Sequence, residues 1–243
     1  MTDKIEVLGV AFDNVTMAEA VERAWTLMER REGAYVVTPN PEIVMDCLAD
    51  PAAAEAVAGA SLTIPDGIGV VYGSRILRRP LKEKVGGCDM TQHLLERMNA
   101  AGKSVFILGG KPGVADLAAE KLGAQYPGLR FVGTADGYFK DDGPIVERIN
   151  AAAPDLLLVC LGAPKQEKWM HDHAAGLNAG LMIGAGGSVD VFAGTVERAP
   201  EAWCSAGLEW LYRLIKEPRR IRRQIALPKF MLRVMGSALR GGR

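Results

Sequence analysis

The sequence has few cysteines, few aromatic residues and no long apolar run. Its 243 residues include four cysteines, and no two of them form a Cys-x-x-Cys pair, so neither a zinc knuckle nor a thioredoxin-type site is predicted. Apolar stretches such as Leu156 to Ala163 are too short to span a bilayer, and Met1 to Glu6 lack the basic and apolar regions of a signal peptide. These absences favour a reducing cytosolic setting in which any contact with a membrane is peripheral.

Three common kinds of enzyme site are also missing. There is no Asp-x-Asp pair, which is the metal-binding signature of many metal-dependent transferases, and no serine lies in a nucleophile-elbow context. His171 and His173 are two residues apart on a predicted helix and therefore point to different faces, unlike a pair of metal ligands. We predict neither a metal nor a bound cofactor.

Charge is distributed unevenly along a chain whose formal net charge is zero. The last 31 residues carry ten basic residues and one acidic residue, a net of +9, which leaves −9 for residues 1–212. Such a split suggests a basic appendage that faces an anionic membrane, a phosphorylated substrate or nucleic acid. A solvated helical surface is the alternative. The basic residues are Arg213, Lys216, Arg219, Arg220, Arg222, Arg223, Lys229, Arg233, Arg240 and Arg243.

Short apolar runs alternate with helical patterns, as in repeated strand–helix–strand units. Several runs are continuously apolar, which indicates a sheet covered on both faces. We therefore predict an α/β fold, a Rossmann-like parallel sheet sandwiched by helices, over residues 1–207. The predicted strands are Ile5 to Val10, Ala34 to Thr38, Leu62 to Ile64, Ser104 to Leu108, Leu129 to Gly133, Leu156 to Leu161 and Gly180 to Ile183. The main predicted helices are Thr16 to Arg30, Met90 to Ala101, Gly113 to Tyr126, Pro144 to Ala152 and Lys165 to Ala175.

Residues 208–243 have a different pattern. Leucines and isoleucines recur at helical spacing, and Pro218 and Pro228 interrupt them. The final part carries an apolar stripe among arginines, which is typical of an amphipathic segment at a membrane interface. We expect this basic helical appendage to engage a membrane or a lipid substrate. The stripe consists of Phe230, Met231, Val234, Met235 and Leu239.

Two motifs place polar side chains directly after predicted strands. Thr38-Pro39-Asn40-Pro41-Glu42 follows one strand, and its two prolines fix the backbone at a carboxyl end, where open α/β sheets bind ligands. Pro65-Asp66-Gly67-Ile68-Gly69 follows another, so that Asp66 can be presented into a cleft as a general base. Turn chemistry alone also accounts for both motifs.

Further strand ends carry glycine turns. The segment Gly162 to Trp169 opens a helix with Lys165 and Gln166 in its first turn, where the helix dipole favours an anion. Lysine opposes that dipole, so a phosphate or diphosphate would explain it, although a Glu–Lys surface pair is an alternative. Three more turns complete a ring of strand ends. They are Gly109-Gly110, Asp136-Gly137 and the segment Gly184 to Asp190, which includes Gly186.

Several motifs occur together in the order and spacing typical of one enzyme family. They are Thr38-Pro-Asn-Pro-Glu, Pro65-Asp-Gly-Ile-Gly, Gly86-Gly-x-Asp89, Ala135-Asp-Gly-Tyr-Phe139, Gly162-Ala-Pro-Lys-Gln-Glu-Lys168, and Arg198-Ala-Pro200 followed by Gly207-Leu-Glu-Trp-Leu-Tyr-Arg213. From about residue 5 to residue 225 the chain resembles the WecG/TagA/CpsF family of bacterial glycosyltransferases.

The resemblance implies an inverting transfer from a UDP-sugar to a polyprenyl-diphosphate-linked sugar acceptor, without a metal, in cell-surface polysaccharide biosynthesis. The donor would be N-acetylmannosamine or a related hexose or uronic acid, and the family leaves that choice open. The enzyme would be cytoplasmic and peripherally associated with the anionic inner face of the plasma membrane. A homo-oligomer is compatible with the apolar residues of the appendage.

The resemblance also implies roles for residues. Asp66 would remove the proton of the acceptor hydroxyl, while Thr38 and Asn40 would position donor or acceptor and Gln166 would bind near the donor diphosphate. Lys165 and the turn at Gly162 are our additions, as groups that neutralise the departing UDP. Further substrate-binding candidates are the glycines Gly67, Gly109, Gly110, Gly137 and Gly186, the uridine-binding candidates Asp136, Tyr138 and Asp190, and the lipid-phosphate-binding Arg213, Arg219, Arg220, Arg222 and Arg223.

Two other functions remain as alternatives. The segment Gly109 to Gly113 is a degenerate dinucleotide fingerprint, with Asp136 placed 23 residues later as the ribose-binding acid, so an NAD-dependent oxidoreductase is one of them. A basic-tailed adaptor that binds nucleic acid is the other. The acidic body and the phosphate-type turns oppose the adaptor, so nucleic acid is not an expected partner.

Overall fold

The protein is described by a computed structural model that covers residues 3–205, 207–216, 218, 221 and 225–241, with the backbone alone at positions 201, 205 and 213. Within these residues, six parallel strands form the central sheet: β3 (Ala34–Val37), β4 (Leu62–Thr63), β5 (Ser104–Gly109), β6 (Arg130–Ala135), β7 (Leu156–Cys160) and β8 (Leu181–Gly184). Their order in the sheet is β4-β3-β8-β7-β5-β6. All of them except β6 are buried along their whole length, as a sheet covered on both faces requires. The predicted Rossmann-like α/β fold is confirmed.

The first predicted strand, Ile5 to Val10, is wrong as a member of this sheet. The chain there forms a separate antiparallel hairpin of β1 (Lys4–Val7) and β2 (Val10–Asp13). Leu8 and Gly9 have φ values of 51° and 84° and close a two-residue turn between the paired Val7 and Val10. The apolar run therefore folds back on itself, because a positive φ at two successive residues reverses the chain.

Helices cover both faces of the sheet and separate the core into two clusters. In chain order the helices of the described residues are α1 (Met17–Arg30), α2 (Pro41–Ala49), α3 (Pro51–Ala58), α4 (Ile68–Ile76), α5 (Gly87–Ala100), α6 (Val114–Gln125), α7 (Gly143–Ala152), α8 (Lys165–His173), α9 (Ser188–Phe192), α10 (Glu201–Ser205), α11 (Glu209–Lys216) and α12 (Ala226–Leu239). One cluster joins α1, α5, α6 and α9, and the other joins the hairpin to α2, α3, α4, α7, α8 and α12.

Local sequence explains where the helices begin. Thr16 and Glu19 form a capping box at α1, in which Thr16 N–H donates to Glu19 Oε2 at 2.8 Å and Glu19 N–H donates to Thr16 Oγ1 at 3.3 Å. Asn40 and Asp50 cap α2 and α3, and each is followed by a proline at the first helical position. These two short helices were not among the sequence predictions.

The helix α12 is split between core and solvent. Phe230 and Val234, two members of the predicted amphipathic stripe, are fully buried in the second core cluster. Both lie against α4 at Gly73, where an added Cβ would stand 3.0 Å from Phe230 Cζ and 3.3 Å from Val234 Cγ2. The expectation that the whole stripe faces a membrane is therefore wrong for these two side chains. The division of the chain at residue 207 stays a prediction.

Candidate active site

The carboxyl ends of the sheet strands open into one cavity of about 950 Å³. Every strand of the central sheet sends the loop that follows it to the cavity wall, which is where open α/β sheets bind their ligands. The predicted site residues that line the cavity are Thr38, Asn40, Asp66, Gly67, Gly110, Gly137, Tyr138, Gly162, Lys165, Gln166, Gly186 and Asp190. Gly109 and Asp136 are not among its lining residues.

Thr38, Asn40 and Asp66 lie together because β3 and β4 are neighbours. Thr38 is buried, and its Oγ1 donates to the carbonyl of Gly184 at 3.3 Å, across to the end of β8. Asn40 Oδ1 accepts from the N–H of Ile43 at 3.0 Å as the cap of α2, which holds the side chain in one orientation. Asp66 N–H donates to the carbonyl of Pro39 at 3.2 Å and so ties the two loops to each other.

Gly109 is needed for the fold rather than for direct contact. Its φ is 129°, and a Cβ there would stand 2.2 Å from the carbonyl oxygen of Cys160. Such a clash can be relieved only by moving backbone, so the close approach of β5 and β7 requires glycine. Gly110 N–H donates to the same Cys160 carbonyl at 3.1 Å, and Gly137 N–H donates to Gly110 at 3.0 Å.

The first turn of α8 presents Lys165 to the cavity. Its Nζ donates to the carbonyl of Gly137 at 3.2 Å and lies 4.4 Å from the ring centroid of Phe139. Lys165 therefore holds the loop after β6 against α8. The cation of Lys165 and the positive end of the helix dipole lie together here, so this part of the cavity is suited to an anion.

Gln166 is buried beneath that turn. Its Nε2 donates to Glu167 Oε1 at 2.8 Å, and its Oε1 accepts from the N–H of Gly186 at 3.1 Å. Gly184 leaves the space that this side chain fills, because a Cβ there would stand 3.1 Å from Gln166 Nε2. The amide thus connects α8 to the loop after β8.

The loop after β6 and the helix α9 complete the wall. Asp136 Oδ1 accepts from the N–H of Tyr138 at 2.8 Å, which is the role of an aspartate within a turn. Tyr138 is 71% exposed at the cavity rim and has room to stack on a planar ligand. Asp190 lines the cavity from α9 and accepts from Thr195 Oγ1 at 3.4 Å.

Several cavity residues were not predicted as site residues. Lys84 and Glu209 form an ion pair of 3.5 Å and line the cavity together with Trp210. Arg198 pairs with Asp89, another residue of the cavity wall, and donates to Gln92 Oε1 at 3.0 Å. The signal for this second pair was present, since both residues belong to motifs quoted for the family resemblance.

Most of the arginines that were predicted to bind lipid phosphates lie outside the described residues. The backbone of Arg213 belongs to α11, and its side chain is not described. Arg219, Arg220, Arg222 and Arg223 lie outside the described residues. Their roles stay predictions.

The described part of the chain has neither a metal-binding cluster nor a membrane-spanning helix. No group of three or more histidine, cysteine, aspartate or glutamate side chains there is arranged to hold a metal ion. No described helix combines the length and the apolar character that crossing a bilayer requires.

The chain is similar to known glycosyltransferases over nearly its whole length. A protein of Bacillus spizizenii is 36% identical over 210 residues, which cover 86% of this chain and 82% of that protein. A protein of Staphylococcus aureus strain MW2 is 35% identical over 236 residues, which cover 96% of this chain and 92% of that protein. Each is named N-acetylglucosaminyldiphosphoundecaprenol N-acetyl-beta-D-mannosaminyltransferase. The model of the "Glycosyl transferase WecG/TagA/CpsF family" matches residues 5–243. The resemblance drawn from the motifs is thereby confirmed, and the chain belongs to the WecG/TagA/CpsF family of glycosyltransferases.

Proposed function

We propose that the protein transfers N-acetylmannosamine, or a related hexose or uronic acid, from a UDP-sugar to a polyprenyl-diphosphate-linked sugar. The observation that carries this proposal is the cavity of about 950 Å³ at the strand ends, whose wall includes Asp66, Lys165 and Gln166. A cavity of that size is in the range that encloses a small organic ligand such as a nucleotide sugar. The names of the two relatives support the choice of acceptor.

In the proposed reaction Asp66 is the general base. Its carboxylate takes the proton of the acceptor hydroxyl while the hydroxyl oxygen forms a bond to the anomeric carbon. The bond from that carbon to the diphosphate oxygen breaks on the opposite face, so the configuration is inverted and UDP leaves. Thr38 and Asn40, held by their bonds to Gly184 and Ile43, position the sugars beside this carboxylate.

The donor diphosphate belongs at the first turn of α8 in this proposal. Lys165 Nζ is fixed there by the Gly137 carbonyl and by Phe139, so its charge meets the departing UDP without a large rearrangement. Tyr138 and Asp190 would receive the uridine. The proposal uses no metal.

Calorimetric titration with UDP and with NAD, each in EDTA, is the first test. We expect UDP to bind without metal and NAD not to bind. Binding of NAD alone would contradict this proposal and favour an oxidoreductase with its cofactor at the Gly109 turn.

Asp66→Asn should keep UDP affinity within about twofold and lower the rate of sugar transfer by about 100-fold or more, as expected for loss of a general base. Normal turnover in that variant would remove Asp66 from the role.

We also propose that α12 binds the anionic inner face of the plasma membrane from the cytoplasm. Its outer face, which we define as Leu232, Arg233, Met235, Leu239 and Arg240, is exposed, while Phe230 and Val234 hold the helix to the core. Apolar and basic side chains on one exposed face are suited to the interface of an anionic bilayer. Each basic residue near such a leaflet contributes about 1 kcal/mol.

Vesicle co-sedimentation tests the membrane proposal. We expect binding to anionic vesicles that weakens as salt rises, and much weaker binding to zwitterionic vesicles. Equal binding to both would contradict it. Substitutions on the outer face are a sharper test than removal of residues 213–243, because that deletion also takes away the core residues Phe230 and Val234.

A further inference from the structure

Glu167 is a fully buried carboxyl group beside the cavity. Its side chain is 0% exposed, and one of its oxygens, Oε1, accepts from Gln166 Nε2 at 2.8 Å. Its other oxygen, Oε2, has no hydrogen-bond partner among the described residues. A buried polar atom left unpaired costs about 1–3 kcal/mol. The fold therefore carries a destabilising group at this position.

The surroundings of Glu167 disfavour its charge. Burial raises the pKa of the carboxyl, and the negative charges of Asp46 and Glu42 on α2 act in the same direction. No ion pair of Glu167 is found among the described residues. The cation next to it in α8, Lys168, pairs with Asp50 instead. This raised pKa disfavours a negative charge beneath the turn where we propose the donor diphosphate.

An apolar side chain would serve packing better at this position. Replacing buried charged or polar groups by apolar ones of similar volume is often neutral or stabilising. The side-chain hydrogen bond that distinguishes Glu167 from a methionine of similar length is the one it accepts from Gln166. A functional reason for a carboxyl at this position therefore lies in its bond to Gln166.

The bond fixes the amide of Gln166 at both ends. Nε2 donates to Glu167, and Oε1 accepts from the N–H of Gly186 in the loop after β8. Reversing the amide would set its NH₂ group against the N–H of Gly186, so that two donors would face each other. Glu167 and Gly186 thus support the same orientation, and Gln166 and Gly186 both line the cavity.

We propose that Glu167 is a positioning residue for the donor site: it holds the Gln166 amide, and through it the Gly186 loop, in the arrangement that receives the donor diphosphate. This inference rests on the proposed function, because it takes the ligand at Gln166 to be the nucleotide sugar. Glu167 acts through Gln166 and touches no substrate itself.

The test compares Glu167→Met with Glu167→Gln in the full chain. Methionine removes the acceptor for Gln166 Nε2, whereas glutamine keeps an acceptor and adds a donor for the orphaned position. We expect E167M to unfold at the same or a higher temperature than the wild type and to bind UDP about tenfold more weakly, a loss of about 1.4 kcal/mol. E167Q should restore UDP affinity to within about twofold, and the Gly186 amide should exchange faster with solvent in E167M alone.

Three results would overturn the inference. One is wild-type UDP affinity in E167M, and another is a loss of melting temperature and affinity together in both variants. The third is that E167M and the shorter Glu167→Leu both fail to fold, since the carboxyl would then be required for folding of the core.

Gln166→Met separates this inference from the proposed function. Unchanged UDP binding in Q166M would refute the role of Gln166 itself, whereas loss in Q166M with none in E167M would refute only the role of Glu167.

Discussion

The two faces of α12 should respond differently to the same kind of substitution. Phe230 is 0% exposed and Leu232, two residues later, is 66% exposed. Truncation of a fully buried phenylalanine costs about 3–5 kcal/mol, because the transfer energy of the ring is lost and a cavity remains. Truncation of an exposed leucine changes stability by about 0.5 kcal/mol or less. We therefore expect Phe230→Ala to lower the free energy of unfolding by several kcal/mol and Leu232→Ala to leave it nearly unchanged.

Membrane binding should show the opposite order of effects. If the outer face of α12 enters the bilayer interface, Leu232→Ala withdraws three carbons from it, at about 0.8 kcal/mol for each one fully inserted. With partial insertion the loss is about 1–2 kcal/mol, or roughly 5- to 30-fold in vesicle affinity. Urea denaturation and co-sedimentation with anionic vesicles measure the two quantities on the same pair of proteins, each the control for the other. Wild-type stability in F230A would refute the packing of α12, and wild-type vesicle binding in L232A would refute its orientation toward the membrane.

Three further predictions concern the body of the protein. Thr16→Ala should lower the free energy of unfolding, measured by urea denaturation, by about 0.5–2 kcal/mol through loss of the α1 cap. Thr26→Ala, on the exposed surface of the same helix, is the control and should not have this effect. Equal effects would mean that the cap is unimportant. Burial raises the pKa of the Cys160 thiol to about 12, so iodoacetamide at pH 8 should label it only after unfolding, as mass spectrometry of the native and urea-treated protein would reveal. The hydrogen bond from Lys168 lowers the pKa of Asp50, so the pair stabilises the fold above about pH 4, and this contribution disappears as the pH falls through the lowered value. Asp50→Asn, which keeps a capping side chain, should therefore differ from the wild type in free energy of unfolding at pH 7 and converge with it in acid. A difference that stays constant with pH would contradict this.

The central sheet was predictable because buried parallel strands are continuous apolar runs. Ser104 to Leu108 and Leu156 to Leu161 agree with β5 and β7 to within a residue. The hairpin was missed because Ile5 to Val10 has the same apolar character, and its Leu8-Gly9 turn lacks the usual Asn-Gly or Asp-Gly signal. The short helix α2 was missed because its cap lies inside a motif that was interpreted for its chemistry.

The site was predictable where it depends on topology and unpredictable where it depends on side-chain contacts. Parallel strands bring their carboxyl ends to one edge, so Asp66 and Lys165 could be expected to share a cavity. Nothing in the sequence distinguishes the buried Glu167 from the exposed glutamates of other helices, since its burial follows from how α8 packs on α3 and the sheet. The pairing of Arg198 with Asp89 likewise joins segments far apart in the chain.

The helix α12 carries a cavity residue near one end and an exposed residue at the other. Leu227 lines the cavity, and Leu239 is 89% exposed. A helix of 14 residues is a stiff rod about 21 Å long, so its two ends cannot shift independently. A ligand or surface that binds the Leu239 end of the helix therefore also sets the position of the cavity wall at Leu227. In the membrane-bound state that we propose, the bilayer would therefore also help to position the cavity wall that a lipid-linked substrate meets.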